Sequence, residues 1–260
     1  MQIYVNSKRI ASRAKVGRRA SLAGLLILGL GMLASLSPGY IATRPEGHWL
    51  STSALGQWLV FGGWLYISMT ALLLGFFLGQ IGNANMRRFQ KSPRPDEVVA
   101  RALKGFDDRN HLYAFATPGD LVFAGPAGLY AIVTRDLEGE VKVINDRVKQ
   151  SFTWRRFFAF GQETPGLPVA DAEAAAQKVS AWLHKQGATA EPAAVQPLVV
   201  FTNDKAQLEV QNASQPVLHQ KQLKAFLREQ LRAARVSKSD LTSVVEHLDA
   251  EAQRQGAQVI

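Results

Sequence analysis

The stretch ALGQWLVFGGWLYISMTALLLGFFLGQIG, residues 54–82, holds 29 consecutive positions without a charged side chain. A helix needs about 20 apolar residues to cross the hydrocarbon core of a bilayer. The stretch is long enough to cross with some tilt, and it is longer than a helix in the core of a water-soluble domain needs to be. We therefore predict a transmembrane helix here.

A second uncharged run precedes this stretch. Residues 20–36 are 17 positions without charge, and the run continues through Pro38 to residue 41. Together the two runs predict a two-helix transmembrane hairpin over residues 20–82, with spans at about 20–41 and 54–82. Gly75 and Gly79 have the G-x-x-x-G spacing, which permits close contact with the first span or with another copy of the chain.

The distribution of charge explains the formal net charge of +9. The basic N-terminal segment, residues 1–19, carries +6 without an acid, and the basic linker, residues 83–94, carries +4. Residues 95–260 come to −1. Because Lys and Arg concentrate on the cytoplasmic flanks of transmembrane helices, we expect a multi-pass protein of the cell membrane with both termini in the cytosol. The same distribution gives little support to nucleic-acid binding.

A cleaved signal peptide is the alternative interpretation of the first run. Residues 8–19 would be its basic region and residues 21–36 its apolar region. No clear small-x-small cleavage site precedes a polar mature start. If cleavage occurred, the second span alone would anchor the protein.

The remaining sequence indicates an α/β (α+β) domain over residues 95–219 and C-terminal helices over residues 220–260. A helix starts at Pro95, and two apolar runs flank the tight turn GPAG at residues 125–128. A half-exposed strand at 139–144, a helix at 170–186 and a buried strand at 197–201 follow. This order predicts a mixed sheet flanked by helices.

Residues 151–160 combine five aromatic rings with two arginines. We interpret the segment as a strand or extended loop that packs its rings on the sheet. The alternative is contact with a membrane surface or a nucleic acid, because aromatic and basic side chains together suit both surfaces.

The sequence DLVFAGPAGLYAIVTR at residues 120–135, followed by GEV at 139–141, resembles the core of the nuclease-related domain, NERD. That family is similar to the restriction-endonuclease-like nucleases of the PD-(D/E)xK type. The helix containing Glu97 and the strand PLVVFTN at residues 197–203 fall in the order that the resemblance implies. The resemblance covers about residues 95–210, and it implies a restriction-endonuclease-like domain.

Such nucleases hydrolyse phosphodiesters with Mg²⁺ held by carboxylates on adjacent strands, and a lysine near the second acid positions or activates the attacking water. The resemblance puts the first acid at Asp120 and the helix acid at Glu97. The second acid falls on Val133, which has no oxygen to offer. The lysine falls on Arg135, whose guanidinium stays protonated and cannot act as a base. Asp120, Glu97 and Arg135 are therefore the candidate catalytic positions, and Asp120 is the candidate metal ligand.

The missing acid and the nearly neutral domain favour a catalytically inactive protein without a cofactor, which acts by binding a protein or a nucleic acid near the membrane. One alternative is an active, Mg²⁺-dependent DNA or RNA nuclease, in which Asp136, Glu138 or Glu140 has replaced the missing acid. A second alternative is a structural or assembly protein whose anchor and C-terminal helices form a homo-oligomer.

Overall fold

The computed structural model describes residues 1–45, 47–150, 165–188, 194–233 and 238–260. They form two units, Met1–Ala11 with Ser92–Ile260, and Ser12–Lys91. We call these the sheet unit and the hairpin unit. The aromatic segment at 151–160 lies outside the described residues.

Two helical runs are long and apolar enough to cross a membrane, Ser7–Ala42 and Ala54–Phe89. The first is helix α1, Ser7–Ala42. The second consists of α3, Ala54–Trp58, a π-helical turn, Leu59–Gly63, and α4, Trp64–Phe89, after the short helix α2, Trp49–Thr52. Only 11% and 17% of their most apolar windows are buried, so neither resembles the core helix of a soluble protein.

The second run bends at Gly62, where the sequence predicts one span over residues 54–82. Gly62 has a φ of 119°, and Phe61 has a ψ of 15°, so neither residue is helical. A positive φ is accessible to glycine because it has no Cβ. The regular part of the second run is therefore the 26-residue helix α4, which ends at Phe89, seven positions after the predicted end.

Pro38 lies inside α1 without ending it. A proline has no N–H and cannot donate to the carbonyl oxygen four residues earlier, which here belongs to Ala34. The hydroxyl of Ser37 donates to that oxygen at 2.7 Å instead. This replacement bond lets α1 run on to Ala42, in agreement with the predicted continuation past residue 36.

The sheet unit contains a seven-stranded mixed sheet with the order β10-β1-β2-β3-β4-β7-β9. Pairs β1–β2, β4–β7 and β7–β9 are parallel, and the remaining neighbours are antiparallel. The strands are β1 Gln2–Val5, β2 His111–Ala114, β3 Leu121–Gly125, β4 Gly128–Arg135, β7 Val195–Phe201, β9 Val217–His219 and β10 Gln258–Val259.

Helices cover both faces of this sheet. They are α5 Pro95–Ala102, α6 Pro168–Lys185, α7 Gln220–Ala233 and α8 Lys238–Arg254. Leu129 of β4 belongs to a core with Leu183 of α6 and Leu248 of α8. The next residue, Tyr130, points to the opposite face and contacts Phe226 of α7 edge-on. The predicted mixed sheet flanked by helices is confirmed.

A second sheet of three strands has the order β6-β5-β8. Its strands are β5 Gly139–Ile144, β6 Arg147–Gln150 and β8 Ala206–Gln211. Val141 and Val143 of β5 are buried in a core that contains Val169 of α6 and Phe201 of β7. This core fixes the small sheet beyond the ends of β4 and β7.

The first residues of the chain belong to the large sheet, whereas the sequence assigns residues 1–19 to a basic segment ahead of the hairpin. Strand β1 lies between β2 and β10, and Tyr4 and Val5 are buried. The N-terminal amino group donates to the carbonyl oxygen of Phe106 at 3.0 Å. The sheet unit is therefore discontinuous, because the hairpin unit is inserted between β1 and the helix α5.

Candidate functional site

Asp120 lies immediately before β3, at the edge of the sheet from which α1 departs. Its carboxylate is 3.9 Å from the guanidinium of Arg9, in the first turns of α1. Arg9 also donates to the carbonyl oxygen of Phe115 at 3.3 Å, and the backbone N–H of Phe115 donates to the carbonyl of Asp120 at 2.7 Å. The side chain of Asp120 is 45% exposed. This acid thus lies against a cation from the start of α1.

Val133 lies where the resemblance requires the second metal-binding acid. The pairing of β3 with β4 ends at Val122 and Ala131, so Val133 lies two residues beyond the last residue of β4 that pairs with β3. Val133 packs against the core that contains Val169 and Val199. A half-buried apolar side chain therefore stands at the position that the resemblance assigns to the second acid.

Arg135, the last residue of β4, has a mostly buried side chain that forms an ion pair with Asp171 in the first turn of α6. Its own backbone carbonyl accepts hydrogen bonds from the backbone N–H of Thr202 at 2.9 Å and from the Thr202 hydroxyl at 3.3 Å. Through its ion pair with Asp171, the guanidinium joins the end of β4 to the start of α6. This ion pair gives Arg135 a structural role, which requires no reaction chemistry.

Glu97 is engaged at the start of its own helix. Its carboxylate accepts from the backbone N–H of Arg94 at 3.0 Å and forms an ion pair with the Arg94 guanidinium at 2.9 Å. The same guanidinium binds the buried Asp96 through two nitrogens, at 3.1 and 3.0 Å. Hydrogen bonding to Asp96 raises the pKa of Arg94. The helix acid therefore caps α5, a known role for an acid three residues into a helix.

The downstream acids also have partners on the neighbouring chain segment. Asp136 accepts from the Asn203 amide at 2.9 Å, and Glu138 lies 3.4 Å from the ammonium of Lys205. Within the described ranges, no group of three or more His, Asp or Glu side chains is placed so that it could hold a metal ion. Each candidate catalytic residue forms an ion pair: Asp120 with Arg9, Glu97 with Arg94, and Arg135 with Asp171.

The structure contains a polar cluster between β2 and α8 that the sequence does not predict. The hydroxyl of Tyr113 donates to Asp249 of α8 at 2.6 Å, and Nδ1 of His111 lies 3.3 Å from the same oxygen. The ring of Tyr4 in β1 stacks on Tyr113 with a centroid distance of 5.2 Å. The only signal in the sequence is the alternation of His111 and Tyr113, which puts both on one face of a strand.

Asp249 is the electrostatic centre of this cluster. Burial alone would raise its pKa, but hydrogen bonds from His111 and Tyr113 lower the pKa below its ordinary value. Burial, followed by the hydrogen bond to Asp249, raises the pKa of Tyr113 far above its ordinary value. The carboxylate is thus kept ionised and the phenol neutral, which holds α8 against β1 and β2.

In the hairpin unit, α1 and α4 pack antiparallel along a seam of small residues. A Cβ added to Gly82 would lie 2.6 Å from the backbone nitrogen of Ser21, and one added to Gly31 would lie 2.6 Å from Cβ of Ala71. The hydroxyl of Ser68 donates to the carbonyl of Gly31 at 2.9 Å. Of the predicted G-x-x-x-G pair, Gly75 faces α1, whereas a Cβ on Gly79 would meet no atom within 4 Å.

Along the two uncharged runs, the surface of the hairpin unit away from this seam is apolar. Its exposed large side chains include Leu25, Leu26, Leu30, Met32, Leu33, Leu72, Leu73, Phe76 and Phe77. Water-soluble monomers rarely expose contiguous apolar patches larger than a few hundred Å². The two helices therefore bury small residues against each other and turn large apolar residues outward, as membrane helices do.

Comparisons of this chain with protein-family models, with curated proteins and with solved structures find no match.

Proposed function

We propose that the hairpin unit spans a membrane twice and that both chain ends lie in the cytosol. The observation that carries the proposal is the pairing of β1 with β2 and β10. Strand β1 precedes the apolar helices and the other two strands follow them, so all three must lie on one side of any membrane. A chain that returns to the same side crosses an even number of times.

The same pairing disfavours the signal-peptide alternative. Cleavage after the first apolar run would remove β1, which lies between β10 and β2, together with the buried side chains of Tyr4 and Val5. The basic flanks then assign the side. The four Lys and Arg of residues 83–94 and the six of residues 1–19 favour the cytosol, against the single Arg44 of the loop.

Cysteine labelling tests this topology, because the chain has no cysteine of its own. Thr52→Cys in the loop should react with a membrane-impermeant maleimide on intact cells. Gln177→Cys, on the exposed face of α6, should react only after the cells are opened. Equal reaction of both variants on intact cells, or of neither after opening, would contradict the proposed arrangement.

We further propose that the sheet unit is a NERD-like module that has lost catalysis and acts by binding. The order α5, β2, β3, β4, α6, β7 supports this proposal, since it is compatible with the restriction-endonuclease-like layout. The packing of Val133 in the core and the use of Glu97 as a cap support the loss of catalysis. The partner is a protein or a nucleic acid at the cytosolic face of the membrane.

The test is to incubate the full chain, in detergent, with DNA and RNA plus Mg²⁺ or Mn²⁺. A fragment starting at Pro95 is unsuitable because it lacks β1. We expect no cleavage by the wild type or by Asp120→Ala. Cleavage by the wild type that disappears in Asp120→Ala would favour the alternative, an active nuclease with a rearranged site.

A further inference from the structure

The cations of the hairpin unit are concentrated at one end. The basic band, as we define it, consists of Arg13, Lys15, Arg18, Arg19, Arg87, Arg88 and Lys91. Residues 12–19 and 83–91, which contain the band, have no acidic side chain. The four cations on α1 are exposed, and no ion pair within the described part of the chain includes any of them or Arg87.

Close packing of α1 and α4 brings the cations of the two helices together. A Cβ added to Gly17 would lie 2.9 Å from Cβ of Asn85, and the amide of Gln90 donates to the carbonyl of Ala14 at 3.3 Å. The four cations of α1 occupy about 10 Å of helix length. Charges this close are only partly screened, since the Debye length is about 8 Å at physiological salt. The four cations of α1 therefore repel one another unless anions bind near them.

We propose that the basic band binds the phosphate groups of anionic lipids, an inference that rests on the proposed insertion of the hairpin. Ala20 begins the uncharged run directly after Arg19, and the second uncharged run ends at Gly82, five positions before Arg87. The band thus lies where the hydrocarbon-facing surface ends, at the depth of the headgroups. Guanidinium groups match phosphate oxygens with two parallel hydrogen bonds, which suits this ligand.

Bilayer phosphate fits the band better than nucleic-acid phosphate. Leu22, Leu25 and Leu26 are exposed within two turns of Arg18 and Arg19. A duplex or single strand lying on the cations would leave this apolar surface in water. A bilayer covers the apolar surface and supplies the phosphates together, and a cytoplasmic leaflet rich in anionic lipid attracts basic segments beside transmembrane helices.

Native mass spectrometry of the full chain, from mixed micelles containing equal phosphatidylcholine and phosphatidylglycerol, measures the lipid preference directly. We compare the wild type with two variants that lose four positive charges each. The band variant carries Arg13→Gln, Lys15→Gln, Arg18→Gln and Arg19→Gln. The control variant carries Lys178→Gln, Lys185→Gln, Arg228→Gln and Arg232→Gln, four exposed positions of the sheet unit.

The wild type and the control variant should retain phosphatidylglycerol in preference to phosphatidylcholine. Each basic side chain near an anionic surface strengthens the attraction by a factor of about five, so four together should give a preference of at least about tenfold. The band variant should approach equal retention. A third variant, with Arg87→Gln and Arg88→Gln on α4, should lose part of the preference for phosphatidylglycerol. It tests whether the effect of the band variant is due to lost charge and not to damage to α1.

Equal retention by the wild type, or an equal loss in both four-charge variants, would overturn the lipid assignment. A single-stranded oligonucleotide is added to the same samples, and displacement of phosphatidylglycerol by it at physiological salt would assign the band to nucleic acid instead. Extraction of the wild type from vesicles by alkaline carbonate would refute membrane insertion itself. Resistance to extraction without a lipid preference would refute only the present inference.

Discussion

Replacing Gly82 by alanine separates the role of the helix seam from the general properties of glycine. The added Cβ would lie 2.6 Å from the backbone nitrogen and 2.9 Å from the Cα of Ser21. Ordinary contacts begin near 3.4 Å, so the backbones of α1 and α4 must separate by about 0.8 Å. Overpacking of this kind costs about 1–3 kcal/mol.

Gly79→Ala is the matched control, because it lies on the same helix and its Cβ would meet nothing within 4 Å. Both substitutions gain about 1 kcal/mol of helix propensity, so this gain cancels in the comparison. The two variants should differ by about 1–3 kcal/mol in the free energy that holds the hairpin together. That difference corresponds to a factor of about 5–150 in the equilibrium between packed and separated helices.

The assay uses cysteines introduced at Ala14 and Gln90, which are in contact across the hairpin. The initial rate of oxidative cross-linking, measured against the mole fraction of SDS, reports the packed population. Gly82→Ala should lose cross-linking at lower SDS than the wild type, and Gly79→Ala should not. Equal effects of the two substitutions, or no effect of either, would refute the assignment of the seam.

Three further results are expected. Tyr113→Phe removes a hydrogen bond to an ionised carboxylate and should lower the free energy of unfolding by about 1.5–3 kcal/mol, whereas Tyr130→Phe removes a bond to a neutral carbonyl and should cost about 0.5–1.5 kcal/mol; urea titration compares them. The pKa of Asp249 is lowered in the folded state, so its contribution is complete above the unfolded value of about 3.9 and is lost as the pH falls toward the folded value. The destabilisation by Asp249→Asn, measured from pH 7 down to about pH 3, should therefore shrink at the acidic end, and a constant effect would contradict the role of ionisation. Ser37→Ala leaves a carbonyl without a donor beside the proline of α1, so it should lower the SDS resistance of the hairpin by about 0.5–1.5 kcal/mol more than Ser35→Ala, whose acceptor keeps its backbone bond.

Strong local patterns predict several of the elements that the structure contains. Strand β5 lies at the predicted residues 139–144, and β7 contains the predicted residues 197–201. The turn at residues 125–128 joins β3 and β4 through Pro126 and Ala127, as its Gly and Pro content indicates. Turn residues and apolar runs are local features of the sequence, so these elements can be predicted from their own residues.

The missed elements depend on distant partners. Strand β1 has only four residues, and its partner β2 begins more than 100 positions later. Strand β8 is mostly exposed, and its sequence AQLEVQ alternates apolar and polar residues as a strand does, but its pairing with β5 over six residues requires the tertiary structure. The bend at Gly62 lies in a uniformly apolar run, where composition cannot distinguish a kinked helix from a straight one. Local periodicity contains no information on the partner of β1 or on the bend at Gly62.

The candidate site shows the same division. The sequence shows that Val133 has no oxygen to offer a metal, but its packing against an apolar core depends on α6 and β7. The capping role of Glu97 follows from its position three residues after Arg94. The cluster around Asp249 joins residues 136 positions apart and therefore needs the tertiary structure.

The position of β1 ahead of the hairpin has a consequence for how the protein is made. A ribosome synthesises residues 2–5 first, but their neighbours in the sheet, at 111–114 and 258–259, come only after both apolar helices. During this interval the strand has no partner, and closing so long a loop is entropically costly and slows folding. The large sheet is therefore completed last, after the hairpin has left the ribosome. On the proposed topology, a hairpin that failed to insert would hold β1 away from β2 and β10, so completion of the large sheet would itself report that the hairpin is in place.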